Sequence, residues 1–210
     1  MPAGTPEVFY RTDANDHGLP HDPFKAIVAP RPIGWISTRS AAGAVNLSPY
    51  SYFNAVSTSP YLVWFSSEGE KDSVTFARET GEFAVNLVGK ALAEKMNLSS
   101  VDAPRGVSEF AHAGLTPVPC KAIGAPRVAE APAVLECKVT EVLQPRVLDG
   151  KPAGVTIVMG EVVAIEIDDA MIVDGRFDVT RAGNVGRLGY RDYCAVTETF
   201  AMTRPRWEAS

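Results

Sequence analysis

The residues best suited to binding a ligand lie in one short segment, NLSPYSYF, which runs from Asn46 to Phe53. The segment combines an amide, hydroxyls and aromatic rings, and small hydrogen-bond donors beside flat side chains suit a planar heteroaromatic ligand with polar edges. We predict a ligand-facing strand, and the alternative is an edge strand with aromatic cross-strand pairs. In an extended chain the two predicted faces are Tyr50, Tyr52 and Asn54 on one side, and Ser51, Phe53 and Ala55 on the other.

A second segment, Lys71-Asp72-Ser73, could hold a phosphate. It offers an ammonium, a hydroxyl and backbone N–H groups at the start of a predicted helix, where the helix dipole attracts anions. Asp and Ser at such positions are more often simple helix caps, so that alternative stays open. The sequence contains neither a GxGxxG fingerprint nor a GxxxxGK[ST] phosphate loop, which leaves a Rossmann or nucleotide-triphosphatase interpretation without support.

Other catalytic patterns are missing. The three histidines, at positions 17, 21 and 112, are too dispersed to indicate a metal site, and we expect none of them to be catalytic. No GxSxG elbow or carboxylate pair suggests hydrolysis. Cys120, Cys137 and Cys194 are widely spaced and odd in number, which predicts neither a disulfide framework nor a zinc site and favours the reducing cytoplasm.

The composition limits the classes of protein. The chain has 210 residues, of which 46% are hydrophobic and 21% charged, as expected for one globular domain. Its net charge of -5 argues against nucleic acid as a partner. A membrane is not expected either, because no run approaches the roughly 18 apolar residues of a spanning helix. Residues 1–22 show no hydrophobic periodicity, which predicts an arm, and one domain is expected over residues 23–210.

The first half of the predicted domain is mainly strands. Prolines 30 and 32 mark a bend between two extended segments, Ala26–Ala29 and Ile33–Thr38, which suit strand ends or an edge. A hairpin turn at Ala41–Ala44 leads to the NLSPYSYF strand, which we expect to continue towards Val56. The nearly continuous apolar run Tyr61–Ser66 predicts a strand that is buried on both faces.

Helical and later strand patterns complete the prediction. Asp72 or Ser73 is the predicted N-cap of a helix that stops at Gly81, and a second short helix carries Leu92 and Met96. Residues 101–132 predict a functional or interface loop with a short helix inside. The remaining strands carry Phe83, Val85 and Leu87, then Leu135, Cys137 and Val139, then Val163, Ile165 and Ile167, with a turn around Asp149-Gly150 between the last two.

Short links between many strands and a few short helices favour a mostly β fold, an antiparallel barrel. The tail GNVGRLGYRDY, from Gly183 to Tyr193, concentrates Gly, Arg and Tyr far from the first motif. We interpret it as a second element of the site, and a surface turn is the alternative.

Three motifs in order, APRPIGWIST, NLSPYSYFNAVSTSPYLVWFS and KDSVTFARETGEFAVNLV, resemble the flavin reductase-like proteins of the FMN-binding split-barrel superfamily, which includes flavoredoxin. The resemblance covers about Pro23 to Leu87 closely, and RLGYRDY is similar to the C-terminal segment of that family. It implies a Greek-key split barrel that forms a homodimer, with FMN near the subunit interface and NADH or NADPH as the electron donor.

The resemblance also implies roles for individual residues. Those along the flavin would be Trp35, Ser37 and Thr38. Those lining its ring and ribityl chain would be Asn46, Leu47, Ser48, Pro49, Tyr50, Ser51 and Phe53. The phosphate would be held by Lys71, Asp72 and Ser73, and the site would be closed by Arg187 and Tyr190, with the other subunit as one source of that pair.

The implied activity is that of an NAD(P)H-dependent FMN reductase that supplies electrons to a monooxygenase or another redox protein. The alternative is a flavoredoxin-like electron carrier without direct NAD(P)H turnover. A third hypothesis is a barrel that binds another ligand or only a protein partner. Trp35 and Tyr50 are expected near the isoalloxazine ring, and packing in the barrel core is the alternative for both.

Overall fold

Strands dominate the computed structural model, which describes residues 7–104 and 107–207. In chain order the strands are β1 (Arg31–Pro32), β2 (Gly34–Arg39), β3 (Val45–Tyr50), β4 (Phe53–Thr58), β5 (Tyr61–Glu68), β6 (Glu82–Asn86), β7 (Pro117–Pro119), β8 (Pro126–Val128), β9 (Ala133–Leu143), β10 (Val155–Ile167), β11 (Ile172–Val173), β12 (Arg176–Phe177), β13 (Val185–Arg187) and β14 (Tyr193–Ala195). The α-helices are α1 (Phe24–Ile27), α2 (Asp72–Thr80), α3 (Ala93–Leu98), α4 (Glu109–His112) and α5 (Val179–Ala182), and short 3₁₀ turns span Lys90–Leu92 and Asp169–Met171.

A curled seven-stranded sheet with the order β3-β2-β6-β9-β10-β5-β4 forms the body of the protein, and its strand pairs are antiparallel. A smaller sheet, β1-β13-β14, joins the start of the domain to its tail. Among the described residues, the helices are few and short. The predicted mostly β, antiparallel split barrel is therefore confirmed, and the hairpin at 41–44 and the long β9–β10 pair lie where the sequence predicts them.

The NLSPYSYF segment is two strands, and the prediction of one continuous strand is wrong. The chain bends at Ser51 and Tyr52, and it passes from β3 at one edge of the large sheet to β4 at the other edge. The Tyr52 carbonyl accepts a hydrogen bond from the Ser66 amide at 2.8 Å, which ties the bend to β5. The faces predicted for one strand from Tyr50 to Ala55 are therefore interrupted by the bend.

The hydrophobic core has two parts, on the two sides of β2 and β6. One contains Trp35, Leu47 and Phe110 and lies under the long loop, and the other contains Ile36, Phe65 and Phe83 and packs against α2. Strands β2 and β6 are consequently buried on both faces. Strand β5, for which the sequence predicts that burial, instead alternates, because only the face that carries Val63 and Phe65 packs into the core.

Two local predictions need correction. The segment predicted as extended at Ala26–Ala29 begins within α1, whose first turn is started by the Asp22 carboxylate accepting the Phe24 amide at 2.8 Å. Helix α2 begins at Asp72 with Lys71 as its N-cap residue, not Asp72 or Ser73, and Lys71 makes no side-chain cap bond. The predicted stop at Gly81 is confirmed, and this residue has φ = 72°, a left-handed conformation that glycine adopts without strain.

The loop over residues 101–132 covers one part of the core. Its described residues include the predicted short helix, α4, and a β7–β8 ribbon, and they bury Phe110, Leu115 and Val128. The fully buried Glu136 carboxylate accepts the backbone amides of Lys121 and Ala122 at 3.0 and 2.6 Å, which fixes the far end of the loop.

The predicted arm is described from residue 7 onwards, and residues 1–6 lie outside the described part of the chain. The rings of Tyr10 and His17 meet edge to face at 5.1 Å, and His21 lies 5.5 Å from the ring of Tyr190, in the tail. Among the described residues, no helix is both long and apolar enough to span a membrane.

Candidate functional site

Strand β3 separates two adjoining recesses, which we call the polar cleft and the cationic cavity. The polar cleft, of about 240 Å³, includes the predicted residues Asn46, Ser48, Tyr50, Lys71, Asp72 and Ser73. The cationic cavity, of about 430 Å³, includes the predicted residues Pro49, Ser51, Arg187 and Tyr190. Ser100 lines both recesses, so they adjoin at this residue. Strand alternation accounts for the division, because neighbouring residues of β3 point to opposite faces.

The start of α2 supplies the polar groups of the cleft. The Asn46 amide donates to the Ser73 hydroxyl at 2.7 Å, and both residues are buried. The Lys71 ammonium lies 3.2 Å from the Asp102 carboxylate in an exposed ion pair. The buried Tyr50 hydroxyl has no hydrogen-bond partner among the described residues. A helix N-terminus, an ammonium and an unsatisfied hydroxyl together suit an anionic ligand with hydrogen-bonding oxygens.

The polar cleft also contains acidic groups, which would repel an anionic ligand. Asp72, Asp102 and Glu109 all line the polar cleft. Burial raises the pKa of Glu109, with a smaller contribution from the charge of Asp72. The Glu109 carboxylate accepts the Leu47 amide at 3.1 Å, which holds α4 against β3. Protonation of Glu109 removes one negative charge from the cleft.

Arg31 lines the cationic cavity and was missed as a site residue, although it lies within the APRPIGWIST motif. Its guanidinium donates to the carbonyls of Lys25 at 2.5 Å and Leu188 at 2.9 Å, and also to that of Val28. On the neighbouring strand β13, Arg187 donates to the Tyr190 carbonyl at 2.7 Å and stacks over the Tyr193 ring at 4.3 Å. The sequence signal that could have identified Arg31 is its position between two prolines, where a long strand is not expected.

Some predicted flavin-contacting residues lie in the core. Trp35, Ser37, Thr38 and Leu47 have 0% exposure, so none of them presents surface to either recess in this structure, and their contact with a flavin stays a prediction. The Trp35 indole donates to the Ser99 hydroxyl at 2.8 Å, and the Ser37 hydroxyl donates to the Pro126 carbonyl at 2.6 Å. The physical reason is that β2 lies between two strands and is covered on both faces.

The predicted tail residues reach the site within one chain. Arg187 and Tyr190 line the same cavity as Pro49 and Ser51, because β13 pairs with β1 immediately before β2. A second subunit is not needed to supply them. Tyr190 has φ = 55°, which directs the backbone sharply between β13 and β14.

An apolar groove of about 290 Å³ adjoins the cationic cavity at Ile33, and Phe53 lines this groove rather than the polar cleft or the cationic cavity. Ile165 and Ile167 on β10 also line the groove and are exposed. The C-terminal tail starts beside it, since the Val196 amide donates to the carbonyl of the groove residue Asn184 at 2.9 Å. In that tail Phe200, Met202 and Trp207 are at least 85% exposed.

The cysteines are free thiols. Burial raises the pKa of Cys120 to about 12, and it also raises the pKa of Cys137, so both thiols are neutral and poor nucleophiles. Within residues 7–104 and 107–207, no three His, Cys, Asp or Glu side chains are grouped to hold a metal ion.

Comparison with known proteins places these features in context. A family described as "flavin reductase like domain" matches residues 28–180. An uncharacterised protein of Halalkalibacterium halodurans is 37% identical over 183 residues, which cover 85% of this chain and 87% of the relative. Component B of a nitrilotriacetate monooxygenase from Bacillus cereus superposes with a TM-score of 0.86 at 25% identity, covering 95% of this chain and 100% of that one. The 2-nitrobenzoate 2-nitroreductase of Pseudomonas fluorescens gives a TM-score of 0.77 at 30% identity, covering 89% and 91%.

Proposed function

The chain belongs to the flavin reductase-like family, and on that premise we propose that it is an oxidoreductase that binds FMN along β3 and reduces it with NADH or NADPH. The flavin phosphate occupies the polar cleft and the ring occupies the cationic cavity. The observation that carries the proposal is that these two recesses adjoin at Ser100, because this sets a helix start suited to phosphate beside a positively charged space.

The residues present fit FMN. Lys71 and the start of α2 hold the phosphate, with Asn46 and Ser73 already linked beside it. The unpaired Tyr50 hydroxyl would gain a hydrogen bond to the ligand, which removes the cost of leaving a buried polar group unsatisfied. Pro49 and Tyr190 provide flat surface for the ring, and β3 is an edge strand, so alternate backbone amides face away from β2.

The chemistry required of the protein is mainly positioning. When bound, the flavin supplies the capacity to accept a hydride, that is, two electrons and a proton, from a reduced nicotinamide. The walls of the cationic cavity orient the ring and limit water, and its cations attract the anionic dinucleotide. No side-chain acid is needed for hydride transfer, which agrees with the absence of a catalytic dyad in the sequence.

A flavin titration combined with a turnover assay tests this function. Purified protein is expected to bind FMN, seen as a change in flavin absorbance and fluorescence, and to oxidise NADH or NADPH when FMN is present. Flavin binding without nicotinamide turnover would favour the flavoredoxin-like carrier. A failure to bind flavin would leave only the hypothesis of another ligand or a protein partner.

We include a downstream partner in the proposal. The similarity to a monooxygenase component B supports a monooxygenase or another redox protein as the recipient of the electrons. The free thiols support a reducing compartment, the cytoplasm.

We also propose that the protein is a homodimer. The apolar groove exposes Ile165 and Ile167, and the tail beside it exposes Phe200, Met202 and Trp207, an amount of exposed apolar surface that monomers usually avoid. A second copy that covers the groove with its tail would bury both surfaces. In that arrangement FMN lies near, but not across, the subunit interface.

A further inference from the structure

Arg31 is a buried charge without a carboxylate partner. Its side chain is only 7% exposed, and within the described residues its hydrogen bonds go to backbone carbonyls rather than to an acidic group. Its Nε has no hydrogen-bond partner in the part of the chain that the structure describes. A buried charge is costly unless an opposite charge is close, so this arginine calls for an anion.

The neighbouring charges are also positive. Arg31 lies directly opposite Arg187 in the antiparallel β1–β13 pair, an arrangement of like charges that is unfavourable by itself. Lys25 lines the same cavity, and none of its lining residues is acidic. The nearby Tyr52 ring, with its centre 5.8 Å from the guanidinium carbon, can offset only a small part of the charge. The cavity is therefore positive where the proposed flavin ring would lie.

We propose that Arg31 is the residue that makes this site prefer reduced over oxidised flavin. The inference rests on the proposed function. Transfer of a hydride to the neutral oxidised ring adds two electrons and one proton, which leaves the ring with one negative charge while the nicotinamide departs with a positive charge. A fixed guanidinium in the cavity stabilises the charged product and has little effect on the neutral starting form.

A purely structural role for Arg31 makes a different prediction. Its bonds to Lys25, Val28 and Leu188 connect α1 with the tail, and any replacement would weaken that connection. A structural role would make Arg31→Lys and Arg31→Gln similar in every property. An electrostatic role makes them differ, because Lys keeps the positive charge and Gln does not.

The experiment compares the affinities of oxidised and reduced FMN in the wild type, Arg31→Gln and Arg31→Lys. In the wild type we expect reduced FMN to bind more tightly. Arg31→Gln should diminish that preference by about tenfold or more, and Arg31→Lys should retain most of it. A tenfold loss of preference for reduced FMN lowers the two-electron potential of the bound flavin by about 30 mV. Arg39→Gln is the control, because Arg39 is on β2 and bonds the Gly124 carbonyl away from the cavity.

Sulfite titration of the FMN complex gives a second readout without turnover. Sulfite adds covalently to oxidised flavin and leaves a negative charge on the ring, so the dissociation constant for sulfite should rise by a similar factor in Arg31→Gln. The proposal would be overturned if Arg31→Gln preferred reduced FMN as strongly as the wild type does. It would also be overturned if Arg31→Gln and Arg31→Lys lost that preference to the same extent. If Arg31→Gln does not fold, a wild type that binds oxidised FMN at least as tightly as reduced FMN overturns it. Failure of the proposed function would be recognised separately from failure of this inference, because the wild type would then not bind FMN.

Discussion

At the scale of single residues, the two recesses differ in how their charges are balanced. Lys71 in the polar cleft is exposed and already paired with Asp102, whereas Arg31 in the cationic cavity is buried and has no acidic partner. Exposed ion pairs contribute little free energy. A phosphate can therefore displace Asp102 from Lys71 at a small cost, and the cleft is ready to exchange one anion for another.

Replacing Lys71 with Ala should weaken FMN binding by about 10- to 100-fold, because a charge-assisted contact contributes about 1.5–3 kcal/mol. Adding Ser73→Ala should increase the loss. Asp102→Asn is the matched control, and it should bind FMN as tightly as the wild type or more tightly, since it frees Lys71. Fluorescence titration measures the FMN affinity of all three variants. An unchanged affinity in Lys71→Ala would show that the phosphate binds elsewhere.

Glu109 should make FMN binding depend on pH. Its pKa is raised by burial, so as pH rises through that value the cleft gains a negative charge and the affinity for phosphate should fall. Glu109→Gln should remove this part of the profile, which titrations between about pH 5 and pH 8 can separate from ionisation of the phosphate itself. Identical profiles for the variant and the wild type would contradict the prediction.

The same raised pKa affects the stability of the unliganded protein. The native state holds the Glu109 proton more tightly than the unfolded state does. The free energy of unfolding should therefore decline as pH rises from the ordinary glutamate pKa to the raised one, and no further above it. Glu109→Gln should reduce that decline.

Trp35 is expected to affect stability rather than flavin spectra. Trp35→Phe deletes the buried hydrogen bond to Ser99 and leaves space in the core, so it should reduce the free energy of unfolding by about 1–3 kcal/mol. The spectrum and fluorescence of bound FMN should not change. Tyr50→Phe provides the contrast, because it removes a hydroxyl without a protein partner and should weaken FMN binding at little cost in stability. Chemical denaturation and flavin spectra distinguish the two residues.

At the scale of elements, the bend between β3 and β4 carries the chain from one edge of the large sheet to the other. The bend brings Phe53 against β2 at Gly34, where an added Cβ would lie 2.6 Å from the Phe53 ring. Glycine is required there for close approach of the ring. This contact packs β4, whose Phe53 lines the apolar groove, against β2.

Gly34→Ala should therefore destabilise the protein by about 1–3 kcal/mol, because the new methyl group must displace Phe53. Thr58→Ala, at the exposed end of β4, is a control that should stay within about 0.5 kcal/mol of the wild type. Denaturation midpoints test both. A Gly34→Ala protein of full stability would show that the ring can move freely.

At the scale of the whole molecule, the apolar groove distinguishes a monomer from a dimer. Ile165→Glu with Ile167→Glu places charges on an exposed face of β10, which a monomer would tolerate but an apolar interface would not. We expect the wild type to have twice the monomer mass of 22.5 kDa by light scattering, and the variant to have the monomer mass. Thr58→Ala again serves as the control. A monomeric wild type at micromolar concentration would exclude the dimer.

The sequence by itself determined many of the elements and the family. Alternating strands, the Gly81 stop and the turn at 149–150 are local patterns, so short-range physics fixes them, and the motifs on β2, β3 and α2 indicated the flavin reductase-like family that the comparison confirms. The phosphate segment at Lys71 and the NLSPYSYF segment could be selected because their polar groups are adjacent along the chain.

Only the tertiary structure decided which of these residues line a recess and which are buried. Trp35 and Ser48 lie in neighbouring strands, yet Trp35 is buried because β2 is covered on both sides, and Ser48 faces the cleft because β3 is an edge. Arg31 and Arg187 are far apart in sequence, and only the β1–β13 pairing brings them together. Burial and charge depend on such long-range contacts, which no local pattern of residues contains.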